Sequence, residues 1–247
     1  MVALVGRWYP SMAMQPDWNE GSRSRPARRY VRAPAPVHFP GSAPMPEYKP
    51  HFVNRMRLFD CLELRFKDRA CIGSSQFVYW DASDPRQCAA PDVFVRLGLP
   101  DQPFGIWKVW EHGAPHVAVE IASDDDRSAR TWADKLGRYH HMGVEELVRF
   151  DAEDSERPLR VWDRVEGDFV ERALESPRSA ECGPLALYWV VVDEPAYGPM
   201  LRMSTDRDGR DLLLTAAEAA ERERSQIEAE RDALLRRVRE LEDKQRG

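Results

Sequence analysis

The sequence predicts a mixed α/β domain followed by a long C-terminal helix or coiled coil. Short apolar runs of strand length lie between two segments of helical periodicity, from Lys49 to Val192. Pro, Gly and Asp punctuate those runs as turns. From about Thr215 to Gln245 the chain is nearly all Ala, Glu, Arg and Leu. The 247 residues allow one domain of about 150–200 residues with appendages.

Composition narrows the class. Hydrophobic residues make up 43% of the chain, enough for a sizeable core. No apolar run approaches the roughly 18–20 residues that span a bilayer, and the N-terminus lacks the charged, apolar, small pattern of a signal peptide. Cys61, Cys71, Cys88 and Cys182 show no CxxC spacing, so reduced thiols in a cytoplasmic protein are expected. The net charge of −6 argues against wholesale coating of nucleic acid but leaves room for a locally positive cleft.

Three regions follow. Residues 1–46 are a Pro- and Arg-rich tail expected to be disordered, with Arg23, Arg25, Arg28, Arg29 and Arg32 clustered. Residues 47–200 form the domain, and residues 201–247 a linker and the terminal helix. From Lys49 to about Lys67, Phe52, Met56, Phe59, Leu62 and Phe66 recur at three- and four-residue steps, predicting a helix with that stripe buried. Glu63 lies beside the stripe. Cys71–Gly73 and Phe77–Trp80 read as strands, and Asp81–Ala90 as a loop. Pro91 opens a strand through Val93–Val95. Pro100–Pro115 is a connection whose Trp107 and Trp110 are expected to pack on the core. Val117, Val119 and Ile121 alternate onto one face, with Glu120 on the other. A helix from about Ala129 to Met142 ends at Gly143. Leu147–Phe150 is a strand, Leu159–Trp162 and Asp168–Glu171 form a hairpin about Glu166-Gly167, and Leu185–Val192 adds a strand.

The chemistry concentrates between Pro91 and Asp151. Hydrolysing a phosphodiester requires neutralising developing negative charge and supplying hydroxide near neutral pH, which a hard divalent cation on oxygen ligands can do. Asp92 at a strand head and Glu120 on a polar face could converge as two ligands of Mg²⁺ or Mn²⁺. Lys135 on the following helix could orient the attacking water and stabilise charge. Glu120 is the most telling of the three, because its strand is otherwise apolar and an unpartnered carboxylate there is unfavourable. Glu63 is a candidate for a further acidic contact. Arg127, Arg130, Arg138 and Arg149 are candidates for either a phosphate-binding rim or a solvated face. His140 and His141, adjacent on a helix, face different ways and suit a solvated helix end better than a metal site. No Walker loop, GxGxxG or GxSxG occurs.

The order PDVFV, then VEIAS, then K-x-x-x-Y-x-x-x-GV-x-E-L-x-x-F-D resembles the Uma-type restriction endonuclease family of the PD-(D/E)xK nuclease superfamily, over roughly residues 48–200. The resemblance implies a restriction-endonuclease-like mixed sheet core flanked by helices and a metal-dependent endonuclease acting on DNA. In it Asp92 matches the Asp of the PD motif and Glu120 the acidic residue of the second strand. Ala122 occupies the place of the superfamily lysine, and Lys135 matches the lysine displaced to the next helix. Thr131 and His116 depart from the Asp often found at their positions. The alternative is a catalytically inactive nuclease-fold protein serving as a DNA-binding or oligomeric interaction module.

Assembly has its own signal. Ile227, Leu234 and Leu241 repeat every seven residues, with Leu235 and Val238 widening the stripe and Arg224 and Arg231 weakening it. Nine acidic and eight basic residues between Ala216 and Gly247 nearly balance. A homodimer through this helix, as a parallel coiled coil, or a solvated single helix, are the two expectations.

Overall fold

The computed structural model describes residues 48–123 and 128–246. The N-terminal tail and Arg127 lie outside the described residues. Among the described residues no helix is long and apolar enough to cross a membrane. All four cysteines are free thiols.

The centre is a six-stranded sheet built from β1 (Ala70–Gly73), β4 (Val93–Leu97), β6 (Val117–Ile121), β7 (Glu146–Phe150), β8 (Leu159–Val165) and β9 (Asp168–Glu171), side by side in that order. Only β6 and β7 run parallel; every other neighbour is antiparallel. A parallel pair needs a crossover, and helix α3 (Ala129–Met142) supplies it. Ser128 caps α3 by accepting from the Thr131 amide at 3.0 Å, and Gly143 closes it with φ 86°. Glu166 and Gly167, with φ 52° and 98°, turn β8 into β9 as a two-residue hairpin. The mixed sheet, flanking helices and long C-terminal helix expected from sequence are all present.

Pleat alternation sends Val93, Val95, Val117, Val119 and Ile121 to one face. There they meet helix α1 (Lys49–Phe66) and an antiparallel sheet of β10 (Ser179–Cys182), β11 (Leu187–Glu194) and β12 (Gly198–Ser204). Phe94, Ala118 and Leu147 face the other way, onto Trp132, Tyr139 and Met142 of α3. A small sheet of β3 (Cys88–Ala89), β2 (Val78–Tyr79) and β5 (Trp107–Lys108) adds Val78 and Trp107 to that layer. The expected loop at Asp81–Ala90 therefore ends in a short strand.

Helix α1 has the expected span but a different buried face. His51, Asn54, Leu58, Cys61, Leu62 and Phe66 are buried, while Phe52 and Met56 are exposed. The Asn54 carboxamide explains the rotation. It donates to the Leu201 carbonyl at 2.7 Å and accepts from the Leu201 amide at 3.1 Å, pairing with β12 as a strand would. Trp110 also departs from expectation. Trp107 is fully buried and donates its indole N–H to Gly113, whereas Trp110, on the single-turn helix α2 (Val109–His112), is exposed.

The boundary expected at residue 200 falls inside β12. Leu213 belongs to the core, and the buried Arg202 donates to the Leu213 carbonyl and to Glu218. Helix α4 (Ala216–Arg246) starts on a reciprocal cap: Glu218 N–H donates to Thr215 Oγ1, and Thr215 N–H to the Glu218 carboxylate. Its Ile227, Leu234 and Leu241 are exposed.

Candidate active site

Asp92 stands one residue before β4, one step past the register pair Val93 and Val119. It therefore meets the end of β6, and the Ile121 amide donates to its Oδ2 at 2.7 Å. Glu120 precedes Ile121 on the strand and points to the α3 face, where it is 5% exposed. Lys135 and Tyr139 lie four residues apart on α3, one above the other on a single face. Both reach Glu120: Lys135 Nζ donates to Oε2 at 2.6 Å, and the Tyr139 hydroxyl donates to Oε1. The three residues expected from sequence thus share one cluster at the C-terminal edge of β6.

Two further residues belong to it. Tyr139 was present in the motif but carried no expected role; its place one turn after Lys135 is the signal that could have found it. His51, near the start of α1, brings Nε2 to 3.0 Å from the Ile121 carbonyl and 3.3 Å from Asp92 Oδ2. Since a carbonyl only accepts, Nε2 carries the hydrogen, so His51 ties the strand end to the carboxylate. Its signal is weaker: a histidine three residues before a buried asparagine, on a helix expected to bury phenylalanines.

Glu63 is not part of the cluster. It lies three turns beyond His51 along α1, about 18 Å at the helical rise. Burial raises its pKa, with the nearby carboxylates of Asp101 and Asp60 adding to the effect. Arg130 and Arg138 are exposed on α3, whereas Arg149 is buried on β7 rather than on a helix face. His140 and His141 end α3, with His140 3.2 Å from Asp168.

The electrostatics centre on Glu120. Burial lifts its pKa to about 7, the Lys135 ammonium opposes that rise, and the like charge of Asp92 adds to it. Two neighbouring carboxylates offer the hard oxygen donors that suit Mg²⁺, a cation that retains several waters and needs few protein ligands. Among the described residues no three or more His, Cys, Asp or Glu gather as a metal cage, so a cation here would rest on two carboxylates and water.

Residues 42–187 match the family model described as "Uma2: Putative restriction endonuclease". Among solved structures, the chain is similar at 13% identity to one titled a "putative nuclease belonging to DUF820 from Anabaena variabilis". That match covers 62% of this chain and 75% of the other, with a TM-score of 0.39. No curated protein matches.

Proposed function

The chain belongs to the Uma2 family of restriction-endonuclease-like proteins, and from that premise we propose that it is a metal-dependent endonuclease hydrolysing DNA phosphodiester bonds. The observation that carries the proposal is the Lys135–Glu120 contact at 2.6 Å, with Asp92 held by the amide of the next residue, Ile121. Asp92 and Glu120 would hold Mg²⁺ or Mn²⁺. When bound, the cation supplies charge neutralisation and a hydroxide near neutral pH.

The chain's own residues do the rest. Lys135, whose side chain is 29% exposed, can swing from Glu120 to hold the attacking water and the charge that develops on phosphate. Tyr139 fixes the Glu120 carboxylate from a buried position. His51 fixes Asp92 and the Ile121 carbonyl. Burial strengthens each of these interactions relative to water.

A plasmid nicking assay tests the reading. Supercoiled DNA should convert to nicked or linear form with Mg²⁺ or Mn²⁺, and EDTA or Glu120→Ala should abolish conversion. Equal nicking by the Glu120→Ala protein would sink the assignment. The second reading, an inactive binding module, draws on the same cluster: Lys135 and Tyr139 already satisfy both Glu120 oxygens. Calorimetric titration separates the two, since only the nuclease needs cation binding that Asp92→Ala and Glu120→Ala remove.

The proposal extends to assembly and setting. The exposed Ile227, Leu234 and Leu241 stripe on α4 would pair two copies, since a lone helix with so narrow a stripe gains little in water. Truncation after Leu214 should shift sedimentation from dimer to monomer with the core still folded. Unchanged sedimentation would leave α4 a solvated helix. Four free thiols suit a cytoplasmic protein.

A further inference from the structure

The row that carries Glu120 continues across the sheet. Glu120 is paired in register with Arg149 on β7, and Arg149 with Arg160 on β8. Register partners share a face. The α3 side of the sheet therefore presents Glu120, Arg149 and Arg160 in sequence from strand to strand, one carboxylate and then two guanidiniums. With strands about 4.8 Å apart, Arg149 is the immediate neighbour of Glu120 and Arg160 the next.

Arg149 is buried, and its Nη2 donates to Asp151 at 3.0 Å. Its guanidinium lies over the Trp132 ring, 5.1 Å from the centroid. Two donors in this contact, Arg149 Nε and Trp132 Nε1, are buried and have no acceptor among the described residues. Buried N–H groups are nearly always paired, so two unfilled donors in one contact point to an acceptor from outside the chain. Trp132 lies one turn before Lys135 on α3, and the Lys135 side chain is partly exposed. An acceptor there must be anionic to suit the guanidinium and must offer oxygens to both donors, which is the chemistry of phosphate.

We propose, resting on the nuclease reading above, that Arg149 and Trp132 form the subsite for a backbone phosphate beside the one that is cleaved. Phosphate oxygens accept from Arg149 Nε and Trp132 Nε1. Arg160, held to Glu171 by bonds of 3.0 and 2.7 Å, extends the positive row rather than contacting the same phosphate.

Fluorescence anisotropy with a labelled duplex in EDTA, over a range of salt, tests this, alongside nicking by the wild type in Mg²⁺. Arg149→Gln should weaken binding about tenfold and reduce the salt slope by about 0.9, the loss of one phosphate contact. Trp132→Phe, which keeps the ring and removes the N–H, should weaken binding about threefold with the slope unchanged. Asp151→Asn, which removes only the protein partner of Arg149, should leave the slope intact. If Arg149 serves Asp151 alone, Arg149→Gln and Asp151→Asn will lower Tm alike and neither Arg149→Gln nor Trp132→Phe will alter binding; that result overturns the subsite. Should Arg149→Gln fail to fold, Trp132→Phe decides the matter. A wild type that nicks DNA while both variants bind normally defeats the subsite alone, whereas a wild type that neither binds nor nicks DNA defeats the nuclease reading and the subsite with it.

Discussion

The two ends of the β6–β7 pair each bury a glutamate, and they use it differently. Glu146, at the start of β7, is 1% exposed and closed on all sides. Trp189 Nε1 donates to its Oε1 at 2.8 Å, and Arg172 donates to Oε2 at 2.9 Å while also holding Asp163. Glu120, at the end of β6, meets a lysine and a phenol, and feels the like charge of Asp92, one residue before β4. A rigid guanidinium and an indole complete one carboxylate as part of the fold. On the function proposed above, a flexible ammonium beside a second acid would let the other take up a cation and release its lysine. Burial alone does not separate the two roles; the character of the donors does.

Removing the lysine should have the largest effect. Lys135→Ala is expected to lower the nicking rate about 10²–10³-fold, the usual loss when one preorganised charge that meets the transition state is deleted. Cation and DNA binding should persist, since Asp92 and Glu120 remain. Nicking at the wild-type rate would move the chemistry away from this end of the strands.

Glu146→Ala should act on the fold instead. It strands the buried Trp189 N–H and takes one anion from Arg172, whose side chain is 27% exposed and keeps Asp163. Chemical denaturation should show a loss of about 2–4 kcal/mol, with nicking per folded molecule unchanged. If nicking falls while stability holds, the division between the two ends is mistaken.

This division was half visible in the sequence. Asp92, Glu120 and Lys135 stood out because strand alternation and helix spacing are short-range patterns, and the motif order placed them near one another. Helix α3 and the Glu166-Gly167 hairpin were legible for the same reason: Gly143 and Gly167 occupy left-handed positions that glycine marks. His51 and the buried face of α1 were not, since they depend on Asn54 meeting Leu201, far away in the chain. Strand β12, Gly-Pro-Met-Leu-Arg-Met-Ser, lacks β-branched residues and passed for linker. The closure of Glu146 draws Arg172 from the legible β8–β9 hairpin, but it also needs Trp189 of β11, which no local pattern places against β7.

The smallest effect concerns His116, at the same end as Glu146, whose amide donates to the His116 carbonyl at 2.8 Å. His116 Nδ1 accepts from the Leu97 amide at 3.0 Å, so Nε2 carries the hydrogen, 3.7 Å from Glu145. Burial lowers its pKa, an effect opposed by the Glu145 carboxylate and reinforced by Arg96. A histidine held neutral in the fold binds fewer protons than the unfolded chain does just below pH 6.5, the ordinary value. Stability therefore rises with pH through that window and falls as acid is added, because protonating Nδ1 would break the bond to β4. His116→Asn offers an oxygen near the same place without a titrating ring. Thermal melts between pH 7.5 and 5.5 should show the wild type losing Tm faster than His116→Asn over the acid half of the range. Parallel curves would mean that this end of the strands tolerates the charge on His116.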